Sequence, residues 1–427
     1  MIINRRKALG LMGAVSGAAV LGMPHVARAA TGNVVVVGGG FGGATAAKYL
    51  KLWSPELNVT LVEPAERFYT CPFSNGVLGG LWDLDAVSHG YDALSALGVD
   101  VVHAFADDVD TAGRTVTLAG GDTLAYDALV LSPGIDIRWG VLEGYDEAAA
   151  ELAPHAWKAG PQTTLLRSQL EAMEDGGTFV LVAPDNPFRC PPGPYERVSL
   201  VANYFKNEKP NSKILILDAK DAFSKQGLFT AGWQALYGDM IEWVSRTNDG
   251  RVVRVDAATL TVETEFGRQV TANVLNVVPP QQAGVIAQRA GVTNETGWVP
   301  IRPETFESQA VAGVYVVGDA TIASPMPKSG FVACSQGKVA AAAIIAAFEG
   351  RDPIPAKWAN TCYSLVGPEY GISVAGVYEV VDGAIAEVTG SGGVSPADGD
   401  AAFRAREAEY SHGWYRAITN DIWGTNW

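Results

Sequence analysis

One stretch near the start of the chain, Asn33-Val-Val-Val-Val-Gly-Gly-Gly-Phe-Gly-Gly-Ala-Thr-Ala-Ala-Lys-Tyr-Leu50, narrows what the rest can fold into. Four consecutive valines read as a buried parallel strand, and the alanine-rich run after the glycines reads as a helix packed closely on it. Between them Gly38, Gly40 and Gly43 fit G-x-G-x-x-G. The first glycine permits a tight turn, the second lets a pyrophosphate approach the backbone, and the third lets helix and strand come close. The free N–H groups and the dipole at the helix start then face phosphate. A second strand, Asn58-Val-Thr-Leu-Val, ends on Glu63, where a carboxylate can bind a ribose hydroxyl. Dinucleotide binding is therefore expected, with the ligand and its chemistry left to the rest of the chain.

At 427 residues the chain is too long for one core and predicts two or three domains. A net charge of −15 argues against nucleic acid and anionic membrane surfaces as partners. Residues 1–30 are a different kind of sequence. A twin arginine (Arg5-Arg6) precedes an apolar run from Leu9 to Met23, and Ala27-Arg28-Ala29 supplies a small-x-small cleavage site. The pattern predicts a twin-arginine signal, cut after Ala29 and read by the export route for folded, cofactor-loaded proteins. Position 8 is Ala where Phe is common, which keeps ordinary Sec export open. Four of the 31 basic residues and none of the 46 acidic ones lie in this leader, so its removal takes the charge to −19. No later stretch reads as apolar enough to span a bilayer, so a mature periplasmic protein without a membrane span is expected.

The four cysteines, Cys71, Cys190, Cys334 and Cys362, are too few for a disulfide scaffold. None is paired as C-x-x-C, and the absence of C-x-x-C-H predicts no haem on this chain. His25, His89, His103, His155 and His412 are scattered, with no metal-ligand spacing.

Further along, Tyr126-Asp127 leads into an apolar strand closing on Pro133-Gly134, the usual end of the first half of an FAD domain. The second half returns late, where Gly313-Val-Tyr-Val-Val-Gly-Asp319 reads as a short buried strand ending in Gly-Asp. In flavoproteins with two dinucleotide domains, an aspartate so placed binds the ribityl or phosphate part of the flavin. A helix from Gly330 to Phe348 follows, with its N-terminus expected to face the flavin ring. Between the two halves, residues 164–273 read as a second βαβ domain, with strands at Gly177-Thr-Phe-Val-Leu-Val-Ala183 and Ser212-Lys-Ile-Leu-Ile-Leu-Asp218. Its first strand runs not into glycines but into Pro184-Asp-Asn-Pro-Phe-Arg-Cys-Pro-Pro-Gly-Pro194. Proline lacks an N–H and has a fixed φ, so this turn cannot cradle phosphate, and a nicotinamide cofactor is not expected. The fold class is therefore α/β: two Rossmann-like domains, the FAD-binding one made of residues 31–163 and 274–350, plus a C-terminal α+β domain over residues 351–427. The tail's aromatics, Trp414, Tyr415 and Trp423, are read as core.

Four segments together carry a family likeness: Tyr69-Thr-Cys-Pro-Phe-Ser-Asn, Pro187-Phe-Arg-Cys-Pro-Pro-Gly-Pro-Tyr-Glu, Pro325-Met-Pro-Lys-Ser-Gly and Asn360-Thr-Cys-Tyr-Ser. The chain resembles the flavoprotein subunit of flavocytochrome c sulfide dehydrogenase, within the wider fold group of glutathione reductase and sulfide:quinone oxidoreductase. The resemblance implies that Cys71 is bonded covalently to FAD, although Pro72 departs from the loop of some relatives. It also implies that Cys190 and Cys362 form a redox-active disulfide. Hydrosulfide is a good nucleophile and disulfide sulfur an electrophile, so attack would leave a persulfide and a thiolate able to pass two electrons to FAD. Lys328, ahead of the Gly330 helix, is a candidate for electrostatic stabilisation of reduced flavin. Cys334 has no role in the resemblance and is expected to be a buried small side chain. A c-type cytochrome subunit is the implied partner and sulfide the implied substrate. Two alternatives stay open: a sulfide:quinone oxidoreductase, and an exported FAD electron-transfer module in which Cys190 and Cys362 are merely structural.

Overall fold

A computed structural model describes residues 31–424; the stretch expected to be a twin-arginine leader, residues 1–30, lies outside the described residues. The valine strand Asn33–Val37 sits at the centre of a five-stranded parallel sheet. Asn58–Val62 and then Asp100–Val102 lie to one side of it, Ala128–Leu131 and then Val314–Val316 to the other. The last strand arrives nearly two hundred residues after its neighbour, so the sheet is assembled from two distant parts of the chain. Residues 106–125 form a small antiparallel meander before the polypeptide re-enters the sheet at Ala128.

Two helices cover the same face. Phe41–Trp53 follows the glycine turn, and Gly330–Phe348 follows the late strand. They touch backbone to backbone: a Cβ on Gly337 would fall 2.5 Å from the Gly42 carbonyl oxygen. Small residues at the crossing bring both N-termini to one edge of the sheet. Gly330–Phe348 corrects one expectation. By length and by a mean hydropathy of 1.6 it could cross a membrane, although no stretch after the leader had been expected to do so. It is apolar because it is a core helix, with Ala340, Ala341 and Ile344 wholly buried.

The intervening segment forms a second parallel sheet in the order Ile241–Val244, Lys213–Asp218, Thr178–Ala183, Val274–Val277. Chain crosses between the two sheets at Ile135–Ile137 and Gln281–Ala283, which pair antiparallel. The C-terminal part is a mainly antiparallel sheet built on Lys357–Gly367 and Tyr370–Val381, packed against the 23-residue helix Ala401–Trp423. That helix is fastened to the first domain at its end. Lys48 Nζ donates to the carbonyls of Asp421 and Gly424 (2.8 and 3.0 Å), a cation placed on the negative end of the helix dipole. Trp423 packs on Phe41 and Phe68 as a core residue.

Candidate active site

A cavity of about 560 Å³ opens where the glycine turn, the Cys71 loop, the proline segment and the C-terminal sheet meet. At one end the backbone does what the turn demands. Gly38 has φ +100°, and a Cβ there would lie 2.3 Å from the Ser132 carbonyl oxygen. A Cβ on Gly43 would lie 1.9 Å from the Gly38 carbonyl oxygen, so only glycine lets the helix begin so close to its own turn. Gly38 and Gly40 line the cavity and Gly43 stands behind them. Glu63 reaches the same end, its carboxylate accepting from the N–H groups of Gly39 (2.8 Å) and Ala65 (3.0 Å).

Asp319 lines the middle of the cavity, and its Oδ1 is buried without a partner. An orphaned buried acceptor indicates a missing donor. Burial raises its pKa, and Arg189 and Lys328 pull it back. Arg189 Nε and Trp414 Nε1, also on the lining residues, are orphaned as well. The Gly330–Phe348 helix points its first turn into the cavity, with Ser329 as N-cap accepting from the Val332 N–H (3.2 Å). A glycine cradle, two helix N-termini, an acid at the ribose position and unpaired polar atoms between them fit an extended flavin dinucleotide.

Cys71, Cys190 and Cys362 all line this cavity, each delivered by a different part of the fold. Cys71 follows the short strand Phe68–Tyr69. Cys190 sits at φ +57°, an uncommon conformation for a residue with a side chain. Its N–H donates to the Lys328 carbonyl (2.9 Å), and its own carbonyl accepts from the Gly193 N–H (2.8 Å), where the Gly193–Glu208 helix starts. Cys362 lies on Lys357–Gly367.

The expected Cys190–Cys362 disulfide is not formed in this structure: both are free thiols, and Cys190 lies beside Cys71. The neighbouring Cys190 thiol, helped by Arg189 and Arg197, holds the Cys71 thiol down at about 6 against the cost of burial. Cys190, set against Cys71 and buried, is raised. Cys362 is raised by burial, with Lys225 opposing. Cys334 is buried away from the cavity, its thiol pushed up to about 12 by desolvation.

Lys328 lines the cavity, but its ammonium is turned to the carbonyls of Asp319 and Thr321 (both 2.7 Å) and to the face of Trp298 (3.8 Å). Burial lowers it to about 8. These contacts tie it to the Asp319 turn at the cavity wall.

Sequence reasoning missed a polar layer behind the thiols. Glu196 accepts from the Leu365 N–H (2.9 Å) and from Asn75 Nδ2 (2.9 Å). Burial raises its pKa, opposed by those two donors and by Lys225 and Arg197. Arg197, 2% exposed, donates to Asn75, Asn276 and the carbonyls of His155 and Ala156. Lys225 donates to Ser364 Oγ (2.8 Å) and the Cys362 carbonyl (3.4 Å). A charged pair six and seven positions after a proline-flanked cysteine was the available signal. Among the described residues no group of three or more His, Cys, Asp or Glu could hold a metal.

Comparison with known proteins agrees with this arrangement. Residues 163–279 match the family model for the central part of the sulfide dehydrogenase (flavocytochrome c) flavoprotein chain. Residues 354–423 match that for the flavin-binding part of flavocytochrome c sulphide dehydrogenase. Residues 32–168 match the pyridine nucleotide-disulphide oxidoreductase family. The chain is 66% identical over 47 residues to the sulfide dehydrogenase flavoprotein chain of Chlorobaculum thiosulfatiphilum, covering 11% of this chain and 98% of that sequence. It is 23% identical to the mitochondrial sulfide:quinone oxidoreductase of Mus musculus over 71% of this chain and 69% of the relative. In fold it is similar to the sulfide:quinone oxidoreductase of Aquifex aeolicus, with TM-score 0.70 and 17% identity over 91% of this chain and 92% of that one. The chain belongs to the flavoprotein-chain family of flavocytochrome c sulfide dehydrogenase.

Proposed function

We propose that this chain is a periplasmic sulfide dehydrogenase that works through Cys190, Cys362 and a bound FAD and delivers electrons to a c-type cytochrome. The observation that carries the reading is the convergence of three thiols from remote segments on one dinucleotide-type cavity. In the oxidised half of the cycle, hydrosulfide attacks the Cys190–Cys362 disulfide, the S–S bond breaks, and the products are a persulfide on Cys190 and a thiolate on Cys362. Lys225, tied to the strand that carries Cys362, stabilises that negative charge. Glu196, a carboxylate behind Cys190 and Cys362, accepts the proton released as the persulfide ionises. A second hydrosulfide lifts the sulfur away as the anion HSS⁻, and re-formation of the protein disulfide releases two electrons. FAD, when bound, takes up two electrons together and gives them out singly, which suits a one-electron haem acceptor.

Gly38, Gly40, Gly43, Glu63 and Asp319 are the residues that would hold the cofactor, with Cys71 as its covalent anchor. A thiol already held largely as thiolate near neutrality is the reactive form for such a bond. Denaturing electrophoresis tests the anchor: flavin fluorescence should stay with the polypeptide, and free flavin at the dye front would contradict it. Export is tested by Arg5→Lys together with Arg6→Lys, which should leave the precursor in the cytoplasm.

The likeness to two sulfide:quinone oxidoreductases favours a second reading in which quinone is the acceptor. Purified protein given sulfide and cytochrome c should reduce the cytochrome. Reduction of a soluble quinone with none of cytochrome c would select the second reading.

A further inference from the structure

Asn75 makes three side-chain contacts at once, to Glu196, Gly193 and Arg197. It lies in the short helix Ser74–Leu78 just after Cys71 and is 5% exposed. Its Nδ2 donates to Glu196 Oε2 (2.9 Å) and to the Gly193 carbonyl (3.3 Å), and its Oδ1 accepts from Arg197 Nε (3.1 Å). A carboxamide carries donors on one side and an acceptor on the other. Here the donor side meets a carboxylate and a carbonyl, and the acceptor side meets a guanidinium, so one orientation satisfies every partner. Glu196 and Arg197 are consecutive in sequence, and Asn75 stands against both. The other Glu196 oxygen accepts from Leu365 on the Cys362 strand (2.9 Å). The contacts thus run from the Cys71 loop, through Asn75 and Glu196, to the strand of Cys362.

We propose that Asn75 is a positioning residue for the sulfide chemistry: its carboxamide ties the Cys71 loop to the helix behind Cys190 and holds the Glu196 carboxyl at the wall of the thiol cavity. The inference rests on the reading of Glu196 as proton acceptor. Charged and titratable groups face Glu196 from the elements around it: Cys190 and Arg197 at its own helix, Cys362 on the sheet and Lys225 at the start of Gln226–Tyr237, with Cys71 lining the same cavity. Burial drives the Glu196 carboxyl upward, and the Asn75 N–H is one of the groups that draw it back. Withdrawing that donor moves the carboxyl further up, so a larger fraction is protonated and unable to accept a proton at a given pH.

Asn75→Asp separates this role from simple packing. It keeps the size and the acceptor for Arg197, but sets a second carboxylate where the N–H met Glu196, and two adjacent carboxylates share a proton. The acid limb of sulfide-dependent flavin bleaching should shift upward by about one pH unit, seen as a roughly tenfold slower rate on that limb with the high-pH plateau within a few-fold of wild type. In flavin-free protein, the infrared band of a protonated carboxyl should persist to higher pH than in wild type and vanish in Asn75→Asp combined with Glu196→Gln. Asn75→Ser, too short to reach Glu196, serves if the Asp variant does not fold, with the same upward shift expected. An unchanged limb, or a rate lowered equally at every pH, overturns the proposal. If Glu196→Gln leaves the wild-type acid limb in place, the reading of Glu196 falls and Asn75 with it. An unchanged limb in Asn75→Asp while Glu196→Gln abolishes it removes only the role of Asn75.

Discussion

The two parallel sheets begin alike and then diverge. Asn33–Val37 and Thr178–Ala183 are each an interior strand flanked by parallel neighbours, and each leads through a turn into a long helix. In the first the turn is three glycines, and Gly38 takes a φ of +100° that brings its Cα against a carbonyl oxygen. In the second, residues 184–192 replace glycine with Pro184, Pro187, Pro191 and Pro192, and it is Cys190 that takes the positive φ. The acids at the ends of the next strands diverge as well. Glu63 lines the cavity. Asp218 is wholly buried and spent on Tyr195 (2.6 Å), Trp243 (2.9 Å) and Lys220 (2.6 Å). One supersecondary unit can thus serve as a phosphate cradle or, once proline removes the N–H groups, as a rigid mount for a reactive sulfur.

Breaking the second unit should cost the most stability and the least flavin. Asp218→Ala strands the Lys220 ammonium in the interior, and urea denaturation should show a loss of about 3–5 kcal/mol, with the folded fraction still carrying flavin. Flavin loss out of proportion to unfolding would mean that the two units are not separable. In the first unit the order reverses. Gly43→Ala puts a methyl 1.9 Å from a backbone oxygen that cannot move aside without opening the turn. Stability should fall by about 1–3 kcal/mol, with flavin absorbance per chain, measured alongside Cys71→Ser, nearly abolished. A milder probe is Glu63→Gln in the Cys71→Ser background, which turns a charge-assisted contact into a neutral one. FAD affinity should weaken by roughly tenfold, about 1.4 kcal/mol, while the matching change Asp218→Asn should leave it unaltered.

The smallest effect near neutrality is a pH slope from the layer behind the second unit. His155 is buried beside Arg197, and its Nδ1 accepts the Trp157 N–H (2.9 Å), so burial and neighbouring cations hold it neutral down to about 3. Between 6.5, its ordinary value, and about 3 the unfolded chain binds a proton that the folded chain does not. Stability therefore falls as pH drops through that window. Thermal melts of His155→Gln should show a shallower acid slope than wild type, and parallel slopes would contradict the assignment.

Much of the fold could be read from sequence because its signals are local. The valine run, the glycine spacing and the Gly-Asp strand each sit within about ten residues and match one element. The two-part origin of the first sheet followed from finding two such signals in order. The polar layer could not be read this way. Asn75, Glu196, Arg197 and Lys225 meet only because three segments and a sheet converge, and no periodicity encodes that. The surroundings of Lys328 were hidden for a related reason. Its place before a helix was visible, but the carbonyls of Asp319 and Thr321 that capture its ammonium depend on how the turn folds back. The thiol contact between Cys71 and Cys190 was likewise invisible, since it depends on the turn that gives Cys190 its positive φ.

The account depends most on Cys190 and Cys362 acting together on sulfide. Anaerobic addition of sulfide to the flavin-loaded chain, followed by absorbance, tests this without any external acceptor. Wild type should bleach fully, while Cys190→Ser and Cys362→Ser should each slow bleaching by about a thousandfold or more, in line with loss of a nucleophilic catalyst, with flavin still bound. Bleaching at the wild-type rate in both variants would contradict the account.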